Sequence, residues 1–214
     1  MSRKTRTFAA LASALLVAVG ILWRVHHPAT IHAATSSGMP RYAANGDLLP
    51  PSGYREWIYL SSGIDMSYLP KTTSMQNHSM FDNVFVNPEV YRSFLASGTW
   101  PDKTVLVLEV RGAQSKGSIN QRGHYQDTQV MDFEVHVKDE ARFPGKWAFF
   151  PFDSPNSNGT LIPRGAPCYT CHAAHGAVDT TFVQFYPTLL PIAQKKGTLS
   201  EAYRKDLPDE ANER

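Results

Sequence analysis

The chain has 214 residues, 42% of them hydrophobic and 19% charged, with a net charge of +2 and two cysteines. That length suits one ordinary globular domain preceded by a short segment. So small a charge excludes nucleic-acid binding, which needs a clustered basic face.

Residues 1–33 read as a targeting segment. Arg3, Lys4 and Arg6 form a basic start, residues 7–23 are uncharged and mostly apolar, and Ile31-His32-Ala33 resembles a cleavage site. The apolar stretch is at the short limit for a membrane span, so a cleaved signal peptide and an uncleaved anchor are both open. Either one delivers the rest of the chain across the inner membrane, and the expected location is the periplasm. Membrane attachment is expected only through an uncleaved anchor. The four basic residues Arg3, Lys4, Arg6 and Arg24 lie in this segment, and a chain starting at Ala34 falls from +2 to −2.

Residues 34–53 are small, polar and Pro/Gly-containing, and read as a linker into a domain over 54–196. Residues 54–60 form a short apolar-aromatic element, and 61–79 read as a loop rich in Ser, Thr, Met and Asn. A short strand is expected over 83–87. A helix then starts at Pro88 and runs to Ser97, with Gly98 as its stop. Residues 104–111 are predicted to be a strand with Leu106, Leu108 and Val110 on one face. In residues 129–138, Met131, Phe133, Val135 and Val137 alternate with Asp132, Glu134, His136 and Lys138, as in a half-buried antiparallel strand. His136 is expected on the solvated side. A third strand covers 146–152, and a polar loop follows to Pro167. A helical pattern from Asp179 puts Phe182, Phe185, Tyr186 and Leu189 on one face, with Pro187 and Pro191 kinking or ending it. Residues 197–214 are charged and read as a frayed tail. The fold class is α+β, mainly antiparallel sheet with a few helices.

Both cysteines fall in one motif, Cys168-x-x-Cys171-His172. C-x-x-C-H is the attachment signature of a c-type haem. Two thiols one helical turn apart can add to the two haem vinyl groups, and the next residue then lies under the iron as an imidazole ligand. Competing readings are weaker. A disulfide here would close a ring too small to stabilise much. A thioredoxin-like pair needs a βαβ unit that the pattern lacks. Adjacent Cys171 and His172 rarely both reach one tetrahedral zinc ion. One covalent haem c on a short C-terminal helix is expected, with Cys168 and Cys171 as thioethers and His172 as proximal iron ligand.

The chain also resembles the cytochrome P460 family and its relatives, the cytochromes c′-beta. The resemblance is carried by Tyr54-Arg55-Glu56-Trp57, Phe81-Asp82-Asn83-Val84, Asn87-Pro88-Glu89, Trp100-Pro101-Asp102, Val137-Lys138-Asp139, Arg142-Phe143-Pro144, the cysteine motif, and the run from Thr181 to Pro187. It implies a mainly antiparallel β-fold, a homodimer, and a haem with an open distal face. Members that oxidise hydroxylamine carry a lysine linked to the haem edge, and the matching position here holds Leu108; Lys103 and Lys116 do not match. Those members also use a distal carboxylate, placed by the alignment just after the haem motif, where only Asp179 comes near, as a possible helix cap. The resemblance therefore favours binding of a diatomic ligand (NO or CO) or transfer of single electrons with a redox partner protein. A haem oxidoreductase acting on hydroxylamine or nitric oxide is the alternative. Phe81 is the candidate for a distal pocket lined by phenylalanine, with Phe133 and Phe149 behind it. His78, Met75 and Met80 are candidate sixth ligands, and Arg142 and Arg164 candidate partners of the haem carboxylates. His175 is expected behind the proximal ligand or in solvent.

Overall fold

The computed structural model describes residues 38–66 and 79–207. Five strands follow one another in space as in sequence: β1 (Ile58–Ile64), β2 (Met80–Val86), β3 (Val105–Gln114), β4 (Tyr125–Lys138) and β5 (Trp147–Phe152), all antiparallel. The described residues also form four α-helices: α1 (Pro88–Ser97), α2 (Pro167–His175), α3 (Leu190–Lys196) and α4 (Glu201–Asp206). The expected α+β class is the one observed.

Local chemistry explains α1. The Asn87 side chain accepts from the Glu89 N–H at 2.8 Å, and Pro88 occupies the first helical position, where no N–H is needed. Gly98 ends the helix at φ 77°, in the left-handed region, and its N–H bonds the Phe94 carbonyl. The sequence pattern and the structure agree on both ends.

Each sheet face buries a different core. On one, Val105, Val107, Phe133, Val135, Val137, Ala148, Phe150 and Phe152 pack with Leu48, Tyr54 and Trp57 from the preceding segment. On the other, Val86, Leu106 and Trp147 meet Phe94 of α1, Trp100, and residues from the C-terminal segment that include Val178, Val183 and Leu189. At the open end of the first face, Glu109 is 1% exposed and is held by Arg55, Arg111 and the Tyr54 hydroxyl at 2.5–2.6 Å. A carboxylate so deeply buried stands only with such partners, and they hold it below the usual glutamate range although burial pushes it up.

Three expected elements differ. The helical pattern from Asp179 is not a helix. A turn at 178–181 and a 3₁₀ turn Val183–Phe185 precede α3, because Pro187 and Pro191 remove the N–H donors that a continuous helix needs. The charged tail is structured over Glu201–Asp206, capped by the Ser200 hydroxyl and packed on α2. Finally, the stretch read as a loop from residue 61 continues as strand through Ile64.

Trp100 links these layers. It is 2% exposed, packs on Phe94 at 4.4 Å between ring centres, and donates its indole N–H to Thr181 Oγ1 at 2.7 Å. Replacing it by alanine should cost about 3–5 kcal/mol. Urea unfolding of Trp100→Ala measures this, and a loss below about 1 kcal/mol would show that the contact does not hold the layers together.

Candidate functional site

The second sheet face runs past its core into a cavity of about 510 Å³. Its wall follows from the strand register. Gly63, Asp82, Val110 and Asp132 form one cross-strand row, Ser61, Val84, Leu108 and Glu134 the next, and Val86, Leu106, His136 and Phe149 the third. All but Val86 line the cavity, and His172, Phe182, Phe185 and Tyr186 close it from the C-terminal segment. A second, more open hollow of about 540 Å³ shares Phe182 and Phe185 and includes Cys171, His175 and Tyr203.

Helix α2 brings Cys168, Cys171 and His172 to one face, since residues three and four apart share a helix side. Both thiols are free and half-buried. Cys171 opens to the second hollow and His172 to the first, while Cys168 lines neither. His172 Nδ1 lies 2.8 Å from the Thr180 carbonyl. A carbonyl only accepts, so Nδ1 carries the proton and Nε2 keeps its lone pair, the tautomer required of a metal-binding imidazole. Burial holds the ring below the usual histidine range, although the Thr180 bond opposes the shift.

Gly176 makes that bond possible. A Cβ there would stand 2.7 Å from the His172 carbonyl and 2.9 Å from the backbone of both Thr180 and Thr181. Only glycine allows the chain to return so close to the helix. Ser200 completes the fold-back, donating its hydroxyl to the Gly176 carbonyl at 2.6 Å and its N–H to Ala177.

Other expected residues are dispersed. Phe81 does not line the cavity. Met80, Asp82 and Val84 take the cavity parity of β2, so Phe81 belongs to the opposite face. Phe133 is likewise on the far face, in the core with Tyr54 and Phe152. Phe149 does line the cavity, edge-on to His172 at 4.5 Å. Leu108 points inward as expected, with Glu134 as its cross-strand neighbour. Met80 is on the wall; His78 and Met75 fall outside the described residues. Arg142 stacks on Tyr42, and Arg164 stacks on Tyr169. Exposed His175 meets Asp206 at 2.5 Å. Asp179 caps no helix and instead accepts from Lys138 Nζ at 3.1 Å.

The polar side of β4 is the main correction. Asp132, Glu134 and His136 line the cavity, and Lys138 is buried, donating to the Trp100 carbonyl at 2.7 Å. His136 is half-buried, stacked on Phe149 at 4.0 Å and 13°, and lines the cavity. Glu134 is half-buried and Asp132 exposed, and both share the wall with Asp82. Burial raises the carboxyl of Glu134, with Asp132 and Asp82 adding to it; burial also raises Asp82, with Asp65 and Asp132 adding. The placement of His and acids at alternate positions was visible in the sequence, but a strand's polar face faces water unless something covers it. Met131, expected with the buried set, is displaced by a bulge between Val110–Asp132 and Arg111–Val130 and lies exposed at the rim.

A partly apolar cavity beside a thiol-bearing helix and a tautomer-fixed imidazole suits a flat iron macrocycle, as in haem cytochromes. The cytochrome P460 family model matches residues 51–183, and the chain belongs to that family. No curated protein matches it.

Because the Glu134 pKa is raised in the fold, its contribution is present at low pH and is lost as pH rises from the ordinary glutamate range through the folded value. Glu134→Gln should therefore melt above the parent protein at pH 7–8, with the gap closing below about pH 4. Thermal melts across that range check this, and an equal or larger gap in acid contradicts it.

Proposed function

We propose that the chain is a periplasmic mono-haem cytochrome, with haem held covalently by Cys168 and Cys171 and ligated by His172, that binds NO or CO or passes single electrons. The observation that carries this is the arrangement on α2, with two free thiols and a lone-pair imidazole on one helix face beside the cavity. Bound haem supplies a one-electron iron centre with a coordination position for a small ligand. Thr180 holds the His172 ring in one orientation and keeps its proton on Nδ1. Leu106, Leu108, Val84 and Phe149 present apolar surface that excludes water and limits the size of what enters. The export segment and a homodimer complete the reading, and attachment to the membrane would require the segment to be retained.

A second reading draws on the cavity carboxylates. Asp82, Asp132 and Glu134 place acid groups on the wall next to Leu108, although no carboxylate follows the cysteine motif closely. These groups can exchange protons with a bound substrate, as oxidation of hydroxylamine or nitric oxide would need.

With a cytochrome c maturation system, a pyridine haemochrome assay should show one covalent haem per chain, absent from Cys168→Ala/Cys171→Ala. Full retention in the double variant would sink the attachment. The ferrous protein should take up CO without displacing a ligand; a low-spin six-coordinate spectrum in both redox states would instead mark a pure electron carrier. Hydroxylamine turnover that falls at least tenfold in Glu134→Gln would favour the second reading.

A further inference from the structure

Among the described residues, the fully buried carboxylates each have a cation beside them. Glu109 is held by Arg55 and Arg111, and Asp139 by Lys103. The carboxylates on the cavity wall differ. Asp82 and Glu134 are half-buried and Asp132 is exposed, and none of the three forms an ion pair among the described residues. No described lysine or arginine joins them on the wall. Burial raises the carboxyls of Asp82 and Glu134, and the neighbouring charges that add to it are all acids: Asp65, Asp82 and Asp132. Half-buried charge without a cation costs stability, and folds carry such costs mainly at functional sites.

Strand register sets the spacing of the three groups. Asp82 and Asp132 share a cross-strand row with Val110 between them, so their strands lie about 10 Å apart. Asp132 and Glu134 are two positions apart on β4, roughly 7 Å along the strand. A small molecule among them is nearer to each than they are to one another, within the roughly 8 Å over which charges act at physiological salt. Val84, Leu106, Leu108 and Phe149 share the wall as low-dielectric surface. A cleft with one sign of charge and apolar walls concentrates its field and sorts small solutes by their charge.

We propose that Asp82, Asp132 and Glu134 are specificity-determining residues: they turn anions away from the cavity and admit neutral or cationic ligands. This selection rests on the haem reading above and names the class of ligand that the same site takes. Carbon monoxide, nitric oxide and hydroxylamine all pass such a filter. Azide, fluoride and nitrite meet it as anions. The selection therefore holds for ligand binding and for substrate oxidation alike.

The test uses wild type, Asp82→Asn/Glu134→Gln and Glu56→Gln/Asp153→Asn, each carrying covalent haem. Glu56 and Asp153 are exposed and outside the cavity, so the last pair makes the same change in net charge away from the wall. Each ferric protein is titrated at pH 8 with azide and with imidazole, which is neutral at that pH. Dissociation constants are read from the haem spectrum at ~0.01 M and ~0.15 M salt, where the screening length is about 30 Å and about 8 Å. At low salt the cavity pair should bind azide about tenfold more tightly than wild type, and imidazole within about twofold of it. The higher salt should shrink the azide gap to about threefold, and the outer pair should stay within about twofold of wild type throughout. If the cavity pair loses its haem, Glu134→Gln alone carries the comparison, with azide binding about threefold tighter. An azide gap below about twofold at low salt, an equal gap in the outer pair, or an equal gain for imidazole overturns the proposal. Wild type without covalent haem is a different result, and overturns the haem reading together with the selection built on it.

Discussion

The hydrogen bond from His172 Nδ1 to the Thr180 carbonyl is the constraint on which the site depends. It selects the tautomer that leaves Nε2 available, and it fixes the plane of the ring. To form it, the chain must leave α2, turn at once, and return within van der Waals distance of the helix end. Gly176 permits the approach, and the Thr181 hydroxyl holds the turn by donating to the Val178 carbonyl at 2.7 Å. Trp100 then bonds the same hydroxyl from the segment between α1 and β3. The orientation of one imidazole is thus tied to the core between α1, the sheet and the C-terminal segment, and it shares that core's stability.

Strand β4 shows how the sheet serves two purposes. Its odd-numbered residues Phe133, Val135 and Val137 fill an ordinary core, while Glu134 and His136 line the cavity on the other face. A soluble antiparallel sheet can leave its second face to water. Here α1 and the C-terminal segment pack on part of that face, and the rest lines the cavity that His172, Phe182, Phe185 and Tyr186 close. Leu106, Leu108, Val84 and Phe149 supply its apolar surface, and Asp82, Asp132 and Glu134 its acidic groups. Polar groups that would cost little in solvent become partly desolvated, which is why both Glu134 and Asp82 are shifted upward. The same partial burial makes them chemically useful next to a bound ligand.

Legibility in the sequence followed the range of the interaction. The cysteine motif, the bounds of α1 and the inward aspect of Leu108 rest on neighbours within one turn or one strand, and the pattern contained them. Phe81 is one residue out of parity with the cavity-lining positions of β2. Nothing local tells which face of β2 will meet a cavity, and a single step reverses every side chain. Alternation separates apolar from polar faces but does not say what lies above the polar one, so the pattern alone leaves His136 in solvent. The few apolar residues over Glu201–Asp206 do not by themselves specify a helix; its order comes from Ser200 and Asp206 reaching back to α2.

The sequence by itself determined the chemistry that the site can hold. Two thiols and an imidazole at fixed spacing, on a helix started by Pro167, are adjacent wherever that helix lies. It also determined the antiparallel strands, through their period of two. Only the tertiary structure decided what surrounds that chemistry, because the cavity wall comes from all five strands and the C-terminal segment. Glu134 beside Leu108, and His136 beside His172, are neighbours through register and packing, and those depend on contacts between residues tens of positions apart.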